Sequence, residues 1–508
     1  MYARLYSAQA DLHEAKLITV EISKSNKGAS SATIVGLPDK AVEEAKDRVS
    51  AAIENSSFEK RSDFKSLNSN FSQITISLAP AGLKKTGSVF DLPIAILYLY
   101  VLEELDNLPD KVLFAGELAL DGSLRPINGV LSIAEFAEKA GFDAIVVPKA
   151  NAKEAAVSNI PVYAFSSLDE IVFHMRRKKI KQPEKKTQIK IESKYNITID
   201  EIKGQELAKR ALSIAAAGRH NIAFYGPPGT GKSLLSKALL SLLPPISKND
   251  AIELTKIYSF AGINNGDIIN KTPFRAPHHS SSYVSIVGGG AKLMPGEISF
   301  AHKGILFMDE FPEFDKRVIN ALREPLEEQK INISRAVGSK TFPADFLLVV
   351  AMNPCPCGYY GTNKCNCSIT QINRYQSKIS GPIADRIDLW IKVDKIEYEK
   401  LLDKKVSPEK RHEQERIKIL KAREMQSKRY GNNIQNSRLS VKNIDKYIIL
   451  GRKEKTLLLH SAERLSLSAR AIHKVLKLAR SIADLEVEEK IKEEHILEAL
   501  SYREFLNP

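Results

Sequence analysis

Up to about residue 175, short β-branched runs alternate with segments whose apolar positions recur every three or four residues. ThrIleValGly at 33–36 and GlnIleThrIleSerLeu at 73–78 read as extended, and Ala144–Val147 as a buried strand. Lys40–Ser56, Pro93–Leu102 and Leu131–Ala140 carry helical spacing. A mixed α/β domain is therefore expected over residues 1–175. A second α/β block opens near residue 196. In it, His220–Tyr225 forms an apolar strand that runs through a glycine-rich loop into the helical run LLSKALL. Further apolar strands end at 304–310 and 346–352. From about Asp394 the pattern turns helical and charged, which predicts a core over 196–394 and a helical domain over 395–508. No internal repeat interrupts this order.

The chain has 508 residues and a formal net charge of +14. With 43% hydrophobic and 27% charged residues, it is an ordinary globular composition that excludes wholesale disorder. No run approaches the ~20 apolar residues of a bilayer span. The first residues carry charges where a signal peptide carries its apolar stretch. A cytoplasmic protein without a membrane partner is the expectation. The charge is uneven: −6 over residues 1–175, +7 over the short stretch Arg176–Lys194, and +13 over the remainder. The lysine-rich stretch 176–195 reads either as a solvated linker or as an arm drawn to phosphates.

Gly226, Pro227, Pro228, Gly229, Thr230, Gly231, Lys232 and Ser233 match the P-loop spacing, with a strand before and a helix after. Glycines let backbone N–H groups close around phosphate oxygens, and the helix N-terminus adds its positive dipole end. Lys232 is expected on the β- and γ-phosphates of ATP and Ser233 on Mg²⁺. The apolar strand GlyIleLeuPheMetAspGlu ends in two carboxylates. There Asp309 would hold Mg²⁺ and Glu310 would deprotonate the attacking water. A third strand ends at Asn353, placed to orient water or the γ-phosphate.

In this order, GPPGTGKS, ILFMDE and AMNP resemble the Walker A, Walker B and sensor-1 elements of AAA+ ATPases. PFRAPHHSSS (273–282), EPLEEQKINISRA (324–336) and SGPIADRIDL (380–389) resemble the magnesium-chelatase-like ATPases. Essentially the whole chain resembles their ComM/YifB group, hexameric DNA helicases that promote branch migration during natural transformation. The resemblance implies an α/β fold with a P-loop AAA+ core and a C-terminal helical lid. It also implies a homo-oligomeric, hexameric ring acting on single-stranded or branched DNA without sequence preference. It places Arg386 as the arginine finger reaching a neighbouring subunit, and Arg470 as the sensor-2 arginine of a lid helix.

Two segments resemble the family's pore elements: the glycine-rich insert Ser285–Glu297, expected as a mobile loop, and Ile331–Phe342, expected as a β-hairpin. Lys292, Arg335 and Lys340 are the candidate phosphate contacts, against the alternative of ordinary surface cations. His278 and His279 are expected to fix the insert's base by hydrogen bonding rather than to share a metal. All four cysteines, Cys355, Cys357, Cys365 and Cys367, lie in two Cys-x-Cys pairs, which suits a structural Zn²⁺ but leaves redox-active or reduced thiols open. Residues 78–96 and 116–130 resemble the Lon protease (S5-like) α+β domain. Ser88 is misplaced for its nucleophile, however, and Gly129–Ala134 contains no lysine, so a non-proteolytic module is expected. An ATP-driven DNA motor is the leading reading. The alternative is a chelatase-type ATPase that remodels a protein partner.

Overall fold

A computed structural model describes the chain except for residues 13, 26–30, 59–72, 178–180, 194, 265, 336–337, 362, 380, 396–410, 432–433 and 504–508. Two compact units emerge, one of Met1–Lys190 with Ser247–Asn270, the other of Ile191–Ile246 with Lys271–Pro508. Among the described residues, no helix is long and apolar enough to cross a membrane.

The first unit is built on a seven-stranded mixed sheet. Its strands are β1 (Tyr2–Gln9), β2 (Lys16–Ser25), β3 (Ser31–Val35), β4 (Gln73–Ala79), β5 (Val112–Phe114), β6 (Ala144–Pro148) and β7 (Val162–Phe165). They lie in the order β3-β4-β2-β1-β5-β6-β7. In β2 the alternation that a one-sided strand requires puts Ile18, Val20 and Ile22 inward. The helix Asp91–Val101 is apolar on every side and almost wholly buried, as such a helix must be.

Two features of this unit depart from the sequence reading. Of the basic stretch, residues 178–180 and 194 lie outside the described residues, but the part up to Lys190 belongs to the unit rather than standing off as a tether. The Glu184 N–H donates to the Val162 carbonyl at 2.8 Å, and the Thr187 N–H to the Ala156 carbonyl at 2.8 Å. Lys149 pairs with Glu184 at 2.7 Å, so part of the local charge is neutralised. Second, residues 247–270 fall within the stretch expected as ATPase core, yet they belong to this unit. Their helix, Lys248–Phe260, packs on the helix Val130–Lys139. Gly129 N–H donates to Ser259 Oγ at 2.8 Å, and Lys256 pairs with Glu135. Beyond the helix, Gly262 lies so close to Asn128 that an added Cβ would stand 2.6 Å from its amide nitrogen.

This docking has a titratable centre. Burial pushes the Glu154 carboxyl up to about 7, although the Ser259 hydroxyl and the Leu131 N–H both favour its charged form. Because the folded value lies above the unfolded one, the stabilisation is complete below the unfolded value and fades as pH rises through about 7. Amide exchange in Lys248–Phe260, corrected for its intrinsic rate, is expected to be faster at pH 8 than at pH 6. Glu154→Gln should abolish that difference.

The second unit carries a five-stranded parallel sheet in the order β9-β10-β13-β8-β14. These strands are β8 (Ile222–Tyr225), β9 (Phe274–Arg275), β10 (Ile305–Met308), β13 (Leu347–Met352) and β14 (Leu389–Lys392). A separate hairpin pairs β11 (Lys330–Arg335) with β12 (Gly338–Pro343). β10 and β13 are buried along their whole length, hence their continuous apolar sequences. The helices Glu206–Gly218, Arg411–Tyr430 and Ala469–Leu485 pack together over one core. At its edge the fully buried Asp484 takes Arg429 at 2.6 Å, Arg480 at 3.1 Å and the Asn436 amide at 2.9 Å, so its charge is compensated. All five sheet strands run the same way, so their carboxyl ends form one edge, where parallel sheets hold ligands.

Candidate nucleotide site

That edge collects residues from three strands. β8 delivers Gly226, which must be glycine because an added Cβ would stand 2.1 Å from the Val393 carbonyl oxygen. Gly229 and Gly231 take φ of +76° and +88°, which turns the loop before the helix Lys232–Leu242 begins. Neither has an atom within 4 Å of where a Cβ would stand, so the loop's outer side is open. The Thr230 hydroxyl donates to the Pro227 carbonyl at 3.0 Å and ties the loop to itself. Lys232 is only 8% exposed. Its ammonium donates to the carbonyls of Gly226 and Pro227, each at 2.8 Å, and lies 3.4 Å from Asn353 Oδ1 at the end of β13. Burial lowers its pKa, and Asp309 works against that.

From β10, Asp309 accepts the Ser233 hydroxyl at 3.0 Å, the pairing that an Mg²⁺ ion held by both residues requires. Glu310 follows in a left-handed conformation, φ +52°, with its N–H on Asp309 Oδ1 at 2.9 Å. A bulky residue in that conformation is strained, and such strain collects at functional sites. Lys232, Ser233, Asp309, Glu310 and Asn353 therefore converge. His279, expected with His278 to fix the base of the insert, instead stands at this group, with Nδ1 3.0 Å from Glu310 Oε2. Its neighbour His278 stacks on it at 4.2 Å and bonds Ser280 Oγ at 2.7 Å.

Arg386 and Arg470 lie in a different group. Both guanidinium groups reach a single oxygen, Glu327 Oε1, with Arg386 at 2.7 Å. Burial would raise the Glu327 carboxyl, but the two arginines hold it below the ordinary range. Arg386 is largely enclosed, with a side chain 11% exposed. The pair lines a cavity of about 400 Å³ with Arg219, Arg438, Lys474 and Lys477. Deeper in it, Asp388 bonds Lys474, which with His220 holds the Asp388 carboxyl far below its usual value against the effect of burial. Glu327 lies 59 residues before Arg386 and 143 before Arg470, so sequence spacing offers no signal for this grouping.

The insert expected as a mobile loop is folded. Tyr283–Val287 is helical, and Gly288–Gly289 pairs with Met294–Pro295. An added Cβ on Gly288 would stand 2.6 Å from Ile333 Cδ1, so the insert lies directly on β11 of the hairpin. Glycine alone permits that approach, at φ +104°. The hairpin forms as expected, with Arg335 opposite Gly338. Its turn, residues 336–337, lies outside the described residues. Lys292 and Arg335 are exposed and Lys340 half-exposed. Arg335 Nη2 comes 3.6 Å from the Cβ position of Gly289, so the hairpin's arginine lies against the insert.

The four cysteines are unpaired by disulfides and come together. Cys355 Sγ lies 3.4 Å from Cys357 Sγ and 3.8 Å from Cys365 Sγ, and all four sulfurs fall within 4.8 Å of one another. In the first unit, Ser88 donates to Glu117, while the buried Lys85 ammonium donates to the Pro80 carbonyl. Neither bond is the Ser–Lys pairing that a Lon-type nucleophile requires.

Comparison with known proteins identifies the family. Residues 198–401 match the family model "Magnesium chelatase, subunit ChlI", residues 20–151 "Subunit ChlI of Mg-chelatase" and residues 409–503 "Magnesium chelatase, subunit ChlI C-terminal". The chain is 42% identical to competence protein ComM of Haemophilus influenzae, over 99% of this chain and 97% of that one. It is 40% identical to YifB of Escherichia coli, over 96% and 94%. The magnesium-chelatase 67 kDa subunit of Chlorobaculum parvum is 26% identical over 31% of this chain and 23% of its own. With family models covering most of its length and two relatives matched nearly end to end, the chain belongs to the ComM/YifB family of magnesium-chelatase-like proteins.

Proposed function

We propose that this protein is an ATPase that assembles into a ring of six copies and uses ATP hydrolysis to move DNA, driving branch migration of recombination intermediates during natural transformation in the cytoplasm. The observation that carries this reading is the convergence of Lys232, Ser233, Asp309, Glu310 and Asn353 on one sheet edge, beside a glycine-walled loop. Lys232 neutralises the β- and γ-phosphates, Ser233 and Asp309 hold Mg²⁺, and Glu310 accepts the proton of the attacking water while Asn353 orients it. Arg386 and Arg470 share one counter-ion and not the P-loop, so they act as a pair on the phosphate of a neighbouring subunit, where their charge counts only after assembly. Lys292, Arg335 and Lys340 hold the DNA backbone, and contact through phosphates makes binding insensitive to sequence. The four cysteines hold one structural zinc ion.

The name of the H. influenzae relative supports the competence role. The chelatase family models favour the second reading, a motor that remodels a protein partner. Both readings need the same ATP site, and DNA separates them. ATPase rates should be measured with and without single-stranded and forked DNA at rising salt. Stimulation by DNA that requires upwards of about 20-fold more DNA at about 200 mM than at 50 mM salt is expected for a phosphate-held motor. A robust rate indifferent to DNA would transfer the assignment to the protein-remodelling reading.

A further inference from the structure

The cysteine loop does more than close on itself. It leaves β13 at Asn353 and returns at the helix Ile369–Gln376, whose Gln376 side chain donates to the Pro354 carbonyl at 3.2 Å. Between Cys357 and Cys365 the chain turns at Gly358, whose N–H donates to the Cys355 carbonyl at 2.9 Å. The outer side of that turn faces the nucleotide site. A Cβ on Gly358 would stand 2.8 Å from Pro228 Cδ and 3.7 Å from Asn353 Cγ. Pro228 belongs to the P-loop, and Asn353 is the residue 3.4 Å from the Lys232 ammonium. The loop backbone is thus seated against both.

The described residues between Cys355 and Cys367 form turns rather than helix or strand. The sulfur geometry adds a restraint that turns alone do not supply. With Zn–S bonds of about 2.3 Å, a tetrahedral site has sulfur–sulfur edges of about 3.8 Å. The pairs among Cys355, Cys357 and Cys365 measure 3.4, 3.8 and 3.7 Å, whereas a disulfide would bring two sulfurs to about 2.05 Å. One buried and three half-buried thiols therefore already stand near the corners of that tetrahedron. Four protein ligands leave no open position, which makes the ion a clamp and not a reagent.

We propose that the zinc ion of this cluster holds the Gly358 turn against Pro228 and Asn353, so that the P-loop's affinity for nucleotide depends on whether the metal is bound. The proposal rests on the reading of Gly226–Ser233 as the ATP site. Loss of the ion frees the turn, Pro228 loses its outer support, and Asn353 is no longer held beside Lys232.

The test uses the full-length protein. Metal content is measured by mass spectrometry, and affinity for a fluorescent ADP analogue by titration, before stripping with a mercurial and chelator, after stripping, and after zinc is returned. Two glycine variants separate the brace from general damage. Gly358 and Gly361 have φ of +83° and +81°, so alanine strains both equally, but only Gly358 has a neighbour within 4 Å of its Cβ position. About one zinc per chain is expected, with about tenfold weaker nucleotide binding after stripping that zinc restores and magnesium does not. Gly358→Ala should keep its zinc and bind nucleotide about tenfold more weakly, while Gly361→Ala binds as the parent does. Zinc well below one per chain, or iron in its place, overturns the metal assignment. Full zinc with nucleotide affinity unchanged on its removal, or equal affinities in the two glycine variants, overturns the brace. Untreated protein that holds zinc but binds no nucleotide would overturn the reading of the P-loop instead.

Discussion

Glu310→Gln is expected to lower steady-state ATP turnover by about 10²- to 10⁴-fold, the range that a positioned general base contributes, while leaving nucleotide affinity near that of the parent. The substitution keeps the side chain's shape and removes only its capacity to take a proton. Lys232→Ala should lose turnover to the same extent but fail earlier, at binding, because the ammonium is the buried positive charge at the phosphate cradle. The two variants therefore separate in a nucleotide titration even though both are inactive. Normal turnover in either would sink the site assignment. The His279 contact adds a check on the same carboxylate. His279→Ala frees Glu310 from its partner at 3.0 Å, so any change it makes should appear in the rate and not in the affinity.

Arg386→Ala is expected to cost about 10³- to 10⁵-fold in turnover, as the loss of an arginine finger does. What distinguishes it from Glu310→Gln is complementation. A subunit carrying Lys232→Ala has no working cradle but still offers Arg386, and a subunit carrying Arg386→Ala has the reverse deficiency. Mixed in equal amounts, the two inactive proteins should regain a substantial part of the parent's activity, because a fraction of interfaces then joins an intact cradle to an intact arginine. A mixture as inactive as its components would place Arg386 in the service of its own subunit and overturn the trans assignment. Arg470→Ala should behave in the same way in this assay, since both guanidinium groups meet on Glu327 Oε1. Activity of Arg470→Ala that the mixture does not rescue would separate the two arginines.

Elements with a contiguous signature were legible in the chain. The P-loop announces itself because its strand, its glycines and the first turn of its helix follow one another within some twenty residues, and β8 with the helix Lys232–Leu242 stands where that order puts them. The same holds for the Asp309–Glu310 strand end and for the antiparallel hairpin of β11 and β12. Strands β1 and β2 were less visible. In β1 the alternation breaks at Ser7 and Ala8, both buried, and in β2 charged and polar residues such as Glu21 and Ser23 interrupt the apolar signal. The insert Ser285–Glu297 misleads for the opposite reason. Glycines read as freedom in a sequence, whereas here Gly288 is what allows the backbone to lie against Ile333.

The chain by itself thus determined the glycine loop between β8 and the helix Lys232–Leu242, the two carboxylates after β10 and the hairpin, because each depends on residues close in sequence whose local geometry is dictated by their own φ/ψ preferences and periodicity. Only the tertiary structure decided the rest. It drew Lys248–Phe260 out of the expected core and onto the helix Val130–Lys139 of the first unit, where Ser259 meets Gly129 across 130 residues. It joined Arg386 to Arg470 through Glu327, set His279 on Glu310, and seated Gly358 against Pro228. Side chains so far apart in the chain meet because burying apolar surface fixes the elements that carry them, and that burial depends on the whole core rather than on any local pattern.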